Sequence, residues 1–228
     1  YLSGVFSSLL QPYLAGYQNN KIMIYKYWLG ICRVLCLASC FIAALFFCFS
    51  DEIIEIMYGP QWALSASALS MLTLSLPVQI LNSTSGAIFQ STGRTDYLFL
   101  SGLICTVVSV IAILLGITTG SIFFLAFYIS IAYFIHFALT IYFLVWKVFS
   151  ITPLDYLKKF IPMFVAAIVA AVVSETYRNL INNSTNIISI AIRVSLLALT
   201  YTLVCVITKQ INAITVFRDM RSMKEEEN

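Results

Sequence analysis

The polar residues of this sequence that could bind a ligand follow one helical stretch, residues 75–90, which Pro77 interrupts. At 100° per residue they fall within an arc of about 100°. This polar stripe comprises Ser75, Gln79, Asn82, Ser83, Gly86 and Gln90. Its amides and hydroxyls hydrogen-bond without carrying charge. The stripe therefore either bonds to neighbouring helices or lines a hydrated cavity, and the sequence leaves both interpretations open.

Three ionisable residues, Arg33, Arg193 and His136, lie inside long apolar segments, where charge is costly. The two arginines have no carboxylate close in sequence. They are candidates for a substrate cavity, since a guanidinium can bind phosphate through two hydrogen bonds. Their alternative role is to anchor a helix by reaching the membrane surface. His136 is a candidate for a titrating residue.

Motifs for other kinds of chemistry are absent. The sequence has no P-loop, no dinucleotide fingerprint, no HExxH and no GxSxG, so we predict no catalytic residue and no cofactor. The cysteines all fall in or near apolar segments: Cys32, Cys36, Cys40, Cys48, Cys105 and Cys205. We expect them to pack between helices as small residues, rather than to bind metal or form disulfides.

The composition decides which elements position these residues. Apolar residues make up 61% of the 228 residues and charged residues 10%, against roughly 45–50% and 25% in soluble domains. The charged residues leave long gaps at 34–50, 56–93 and 97–146. These values exclude a soluble enzyme, and the net charge of +3 does not indicate a nucleic-acid partner. Long apolar runs in lipid form helices, so the fold class is an all-α membrane bundle.

We predict six full spans, at 28–49, 67–90, 98–116, 121–146, 160–175 and 187–208. Residues 116–120 (Gly-Ile-Thr-Thr-Gly) are the predicted turn between two of them, although GxxxG also marks close helix packing. Residues 1–16 resemble the end of a further span. The chain opens on Tyr1 without a signal peptide, which predicts a fragment whose upstream part is missing.

The basic residues indicate the orientation. One set of alternate connections, with the tail, holds ten of them: Lys21, Lys26, Arg94, Lys147, Lys158, Lys159, Lys209, Arg218, Arg221 and Lys224. The opposite connections hold Arg178 alone. Since cytoplasmic loops are rich in Lys and Arg, the C-terminus is predicted to be cytoplasmic.

Two motifs carry a resemblance to a known family. Tyr58-Gly59-Pro60-Gln61-Trp62 opens the stripe-bearing helix, and Ser91-Thr92-Gly93-Arg94-Thr95-Asp96 ends it. Upstream, Leu10-Gln11-Pro12 precedes a basic loop and a new span. Across about 1–146 this order resembles the C-terminal half of the polysaccharide (O-antigen, capsule or exopolysaccharide) flippases. These belong to the multidrug/oligosaccharidyl-lipid/polysaccharide exporter superfamily.

The resemblance implies translocation of an undecaprenyl-diphosphate-linked oligosaccharide across the bacterial cytoplasmic membrane, by alternating access without ATP hydrolysis. Residues 1–146 would form the second lobe, 147–208 an extra helix pair and 209–228 a cytoplasmic tail. The implied partners are the lipid-linked oligosaccharide, membrane lipids and the missing N-terminal lobe. Alternatives are a multidrug or lipid II exporter of the same superfamily, or a membrane enzyme or scaffold of polysaccharide assembly. The enzyme is disfavoured because the outer loops are too short to carry a catalytic site.

Overall fold

The structure is a computed structural model that describes residues 20–180 and 187–210. Within these ranges the chain is helical, with no strand, which confirms the predicted all-α bundle. The expected partial span at 1–16, the Leu10-Gln11-Pro12 motif and the tail beyond residue 210 lie outside the described residues.

The described residues form nine α-helices. They are α1 (Lys21–Cys48), α2 (Ser50–Tyr58), α3 (Ala63–Leu74), α4 (Leu76–Ser91), α5 (Thr95–Thr118), α6 (Ile122–Thr140), α7 (Pro153–Lys158), α8 (Ile161–Leu180) and α9 (Ile187–Ile207). A short 3₁₀ turn, Pro60–Trp62, leads into α3, and a π-helical segment, Ile141–Val148, continues α6.

Six membrane spans were predicted, and the described residues contain six candidates. Five are continuous helices long and apolar enough to cross a membrane: α1, α5, α6 with its π-helical extension, α8 and α9. The sixth, at the predicted position 67–90, is a broken span in which Pro60–Leu74 and Leu76–Ser91 meet at 52°. The chain is therefore a multi-pass membrane protein.

The bend between α3 and α4 follows from Pro77, whose nitrogen cannot donate a hydrogen bond in the helix. At the break the Ser75 amide bonds to the Leu72 carbonyl, at 3.1 Å, in a tighter turn. The Met71 carbonyl instead accepts a hydrogen bond from the Ser130 hydroxyl of α6, at 2.8 Å. A polar side chain from a neighbouring span thus satisfies a backbone group at the bend, as a membrane interior requires.

The turn between α5 and α6 lies at Thr119–Gly120, where Gly120 has a φ of 65°. Gly116 belongs to the last turn of α5. A Cβ at Gly116 would lie 2.7 Å from the Cα of Leu125 on α6. Both interpretations of this segment are therefore correct, because one glycine makes the turn and the other allows the two helices to approach closely.

Helix α1 is the centre of the bundle. It packs against α3 and α4 on one side and against α8 and α9 on the other, while α5 packs on α6. Trp28 is fully buried, donates to the Thr84 hydroxyl of α4 at 2.9 Å, and stacks on Tyr156 with ring centroids 5.4 Å apart. The predicted helix-packing role fits five of the cysteines, which are buried and unpaired: Cys32, Cys36, Cys40, Cys48 and Cys205. Cys105 is partly exposed.

Candidate functional site

The polar stripe lies on the face of α4 that the bundle covers least. On the opposite face, Leu81 and Ile88 are fully buried where α4 packs on its neighbours. On the stripe itself, Ser83 and Gln90 are exposed. A Cβ added at Gly86 would meet no atom within 4 Å. The described helices therefore leave this part of the stripe open.

The end of the stripe at Ser75 is packed inside the bundle. Ser75 is fully buried at the bend, where its hydroxyl accepts a hydrogen bond from the Gln79 amide at 2.9 Å and lies 3.5 Å from the Ser130 hydroxyl. These groups bond within the bundle. The structure therefore divides the stripe between the two interpretations, with Ser75 in interhelical packing and the residues from Ser83 onward on an open face.

Asn82 stands between these two parts. Its side chain is buried, at 8% exposure, yet neither its amide oxygen nor its amide nitrogen has a hydrogen-bond partner. Leaving a buried polar group unpaired costs about 1–3 kcal/mol. Asn82 is thus a hydrogen-bonding group without a partner, beside the open face of α4.

An apolar cleft of about 500 Å³ lies next to the bend. It is bounded by α1, α6, α8 and the α3–α4 junction, and its walls include Cys40, Phe47, Pro77, Phe134 and Phe164. Its walls suit a hydrocarbon chain rather than a charged group. The bend therefore brings a polar face and an apolar cleft close together.

Arg193 requires a correction to the sequence analysis. It has carboxylate partners, which come from other helices: its guanidinium pairs with Glu52 of α2 and, at 3.1 Å, with Glu175 of α8. It also donates to the Cys48 carbonyl at 3.0 Å and lies over the Phe49 ring. A phosphate would have to displace two carboxylates here. Arg193 therefore ties helices together and is not a free cation in a cavity.

Arg33 has a different environment. It donates to the Gln210 side chain at 3.2 Å, and its buried Nε has no hydrogen-bond partner. Lys159 lies between α7 and α8, and burial first, then the positive charge of Arg33, lowers the pKa of its ammonium. Arg33 therefore lies near the end of α9, and both interpretations of its role remain predictions.

His136 is half-buried on α6. Within the described ranges it has no hydrogen-bonding or charged partner. Its proposed titration remains a prediction.

Sequence reasoning missed three residues of this region: Ser130, Glu52 and Lys159. Ser130 is one hydroxyl in a long apolar run, and only the bend shows which carbonyl needs it. Lys159 was counted among the basic residues of the connections, and Glu52 was given no role. Their position at the end of a span could have suggested a partner in a neighbouring helix.

The chain is similar to known proteins both in sequence and in fold. A family model described as MatE matches residues 16–115. Among solved structures, the lipid II flippase MurJ in its inward closed conformation matches with a TM-score of 0.70 and 16% identity, over 90% of this chain. The MatE match covers fewer than half of the 228 residues, and the likeness to MurJ shows a shared fold.

The chain spans 43% of the length of the MurJ chain. Among curated proteins there is no significant match. The likeness to MurJ gives the fold that positions the stripe.

Proposed function

We propose that this chain is the C-terminal lobe of a two-lobed flippase that carries a lipid-linked oligosaccharide across the bacterial cytoplasmic membrane. The observation that carries the proposal is Asn82, a buried amide without a partner beside the open polar face of α4. In a two-lobed transporter the open face of one lobe would border the cavity between the lobes, together with the N-terminal lobe. Residues 1–146 would form this lobe and 147–208 its additional helix pair, with 209–228 a cytoplasmic tail.

The chemistry of the open face suits such a substrate. A diphosphate-sugar head group cannot enter hydrocarbon without losing its hydration. Asn82, Ser83 and Gln90 offer amide and hydroxyl groups that can replace water at the sugar hydroxyls. The lipid tail can stay in the bilayer, and the apolar cleft beside the bend has walls suited to a hydrocarbon chain.

No covalent step is required for this function. The protein would act by stabilising two arrangements of its lobes differently, so it needs neither a catalytic residue nor ATP hydrolysis. The broken span offers a place for such a change. Its bend is held by side-chain hydrogen bonds rather than by a continuous helix.

The distribution of basic residues supports a cytoplasmic C-terminus. Glu55 and Lys209 are exposed at opposite ends of the proposed topology. In intact cells, an impermeant maleimide should label a cysteine at Glu55 and not one at Lys209. The reverse pattern would invert the orientation.

Lipid II is the second candidate substrate, because the matched structure is named a lipid II flippase. A multidrug exporter is less favoured, since amides are poor partners for apolar drugs. Both lipid-linked substrates share the polyprenyl diphosphate and differ in the attached group. The open face of α4 fits either one.

The test is complementation by the full-length protein that contains this chain. It is expressed in cells depleted of their polysaccharide flippase and, separately, in cells depleted of their lipid II flippase. Restored surface polysaccharide without restored growth in the second strain supports the oligosaccharide. The opposite result assigns lipid II, and rescue of neither strain contradicts both. Asn82→Leu should weaken the rescue, whereas Thr106→Val, at an exposed threonine of α5, should not.

A further inference from the structure

An aromatic and basic cluster lies on the π-helical segment that continues α6, a different element from the one that bears the polar stripe. It consists of Tyr142, Trp146 and Lys147, and all three residues are exposed. The Tyr142 and Trp146 rings meet edge to face with their centroids 5.3 Å apart. The Lys147 ammonium lies 5.3 Å from the Trp146 ring centroid and 5.7 Å from that of Tyr142. The three side chains therefore form one contiguous surface patch.

The level of this cluster along its span is marked by charge. No Asp, Glu, Lys or Arg occurs at residues 97–146, so Lys147 is the first of these after the whole hairpin of α5 and α6. Tyr97, which follows Asp96 at the start of α5, stacks on Phe143 with the ring centroids 5.2 Å apart. Both ends of the charge-free hairpin thus lie at one level of the bundle. Trp and Tyr concentrate at such boundaries between hydrocarbon and water.

The cluster carries polar groups that the described part of the chain does not use. Lys147 forms no salt bridge within the described ranges. The Tyr142 hydroxyl and the Trp146 indole N–H form no hydrogen bond there either. At the start of α5, Arg94 pairs with Asp96 at 3.2 Å, so that pair adds no net charge to this end of the hairpin. One positive charge and two neutral donors are therefore available at the membrane boundary.

The surface of α6 that continues from the cluster into the membrane is apolar. Ile135 and Ile131 lie seven and eleven residues before Tyr142, which places all three on one face at 100° per residue. Both isoleucines are exposed. The stretch from Ile131 to Tyr142 rises about 16 Å, close to half of the roughly 30 Å hydrocarbon core. An acyl chain can therefore lie along α6 while its head group reaches the cluster.

The chemistry of the cluster matches an anionic phospholipid. The negative charge of the head group complements Lys147, and its oxygens accept hydrogen bonds from neutral donors. Tyr and Trp suit the head-group level, because each has an apolar body and one polar group. A soluble anion would use the charge of Lys147 and leave the exposed isoleucines of α6 without a partner. The charge and the apolar track together favour a lipid.

We propose that Lys147, Trp146 and Tyr142 bind the head group of an anionic phospholipid in the membrane leaflet at this end of the bundle. The Lys147 ammonium donates to a phosphate oxygen, and the Tyr142 hydroxyl and the Trp146 indole N–H donate to other oxygens of the head group. An acyl chain lies along Ile135 and Ile131. The bound lipid fixes the end of the α5–α6 hairpin at the membrane surface. The site is independent of the transported substrate.

Lipid binding by the purified full-length protein that contains this chain tests the site. The protein is stripped of lipid in detergent and titrated separately with phosphatidylglycerol and phosphatidylcholine that have the same acyl chains. Native mass spectrometry measures the dissociation constant of the first bound lipid. The wild type should prefer phosphatidylglycerol. Lys147→Gln should weaken phosphatidylglycerol roughly fivefold and leave phosphatidylcholine unchanged, because only the first lipid carries a net charge.

The two neutral donors have a test of their own. Tyr142→Phe with Trp146→Phe keeps two aromatic rings and removes the hydroxyl and the indole N–H. This variant should weaken both lipids about threefold, since phosphate and ester oxygens are common to the two. The substituted positions are exposed, so the variants should melt at the wild-type temperature in detergent. Unchanged binding of both lipids would remove the two donors from the site.

Lys26→Gln is the matched control, since Lys26 is an exposed lysine of α1 that lies over no ring of the described residues. It should bind both lipids as the wild type does. Equal weakening of phosphatidylglycerol by Lys26→Gln and Lys147→Gln would reduce the effect to overall surface charge and overturn the site. So would unchanged phosphatidylglycerol binding by Lys147→Gln, or an equal loss of phosphatidylcholine. Because neither lipid is the proposed substrate, these outcomes leave the complementation test unaffected.

Discussion

The guanidinium of Arg193 on α9 pairs with the carboxylate of Glu52 on α2, two residues that lie 141 positions apart in the chain. Both side chains are buried. With Glu175 of α8 as a further partner of Arg193, the pair joins the last two spans to the junction that follows α1. The helix pair α8–α9 is thus attached by charge at one end of the bundle, and at the other end Trp28 stacks on Tyr156 of α7, the short helix that precedes α8.

Breaking the buried Arg193–Glu52 pair should destabilise the packing of α9 on the rest of the bundle. Arg193→Gln leaves Glu52 buried without its partner, which we expect to cost about 3–5 kcal/mol. The measurement is thermal stability in detergent together with abundance in the membrane. Asp51→Asn, which removes an exposed pair with Arg178 at 3.6 Å, should change stability by less than about 1 kcal/mol.

A double variant separates this attachment from a role in substrate binding. Arg193→Gln with Glu52→Gln removes both charges and should recover much of the lost stability. If Arg193 instead binds a diphosphate, the single variant would stay abundant and lose transport. That result would contradict the structural role.

The polar stripe should show graded access to water. In a background without native cysteines, cysteines at Ser83 and Gln90 of the full-length protein should react with water-soluble thiol reagents. A cysteine at Ser75 should react far more slowly, because that position is fully buried at the bend. Ile88, on the packed face of α4, is the control for a protected site. Equal protection at Ser83, Gln90 and Ile88 would mean that the whole stripe is packed, and the cavity would be excluded.

The hydroxyl of Ser130 should stabilise the bend. Ser130→Ala leaves the Met71 carbonyl without its partner from α6, which should cost about 1–3 kcal/mol. Ser195→Ala is the matched control, since the Ser195 hydroxyl bonds to Ala191 within its own helix. Melting curves of the two variants in one detergent compare them. Equal loss of stability would show that the bend does not depend on α6.

Gly116 and Gly102, both on α5, should respond in opposite ways to the same substitution. An alanine Cβ at Gly116 would lie 2.7 Å from the backbone of Leu125, so Gly116→Ala should cost about 1–3 kcal/mol. Gly102 has no atom within 4 Å of such a Cβ, and alanine there should stabilise the helix by about 0.5–1 kcal/mol. A tolerated Gly116→Ala would disprove the close contact of α5 with α6.

The spans and the bend could be predicted because long apolar runs in lipid allow little besides helices, and Pro77 identifies the interruption. The ion-pair partners of Arg193 could not be predicted, because no pattern in the sequence pairs residues 141 positions apart. The burial of residues along the polar stripe could not be predicted either. Ser75 and Ser83 lie on one face of a helical wheel, yet α6 covers the first and not the second. Burial along a helix depends on where its neighbours end, and a single helix does not contain that information.

The most direct measurement is translocation by the full-length protein in vesicles that contain an undecaprenyl-diphosphate-linked oligosaccharide and no ATP. A membrane-impermeant glycosidase outside the vesicles reports how fast the sugar becomes accessible. We expect the wild type to move the lipid, Thr106→Val to match it, and Asn82→Leu to move it about tenfold more slowly, because one hydrogen-bonding group of the cavity is lost. No translocation by the wild type, or an unchanged rate in Asn82→Leu, would contradict a sugar pathway along the open face of α4.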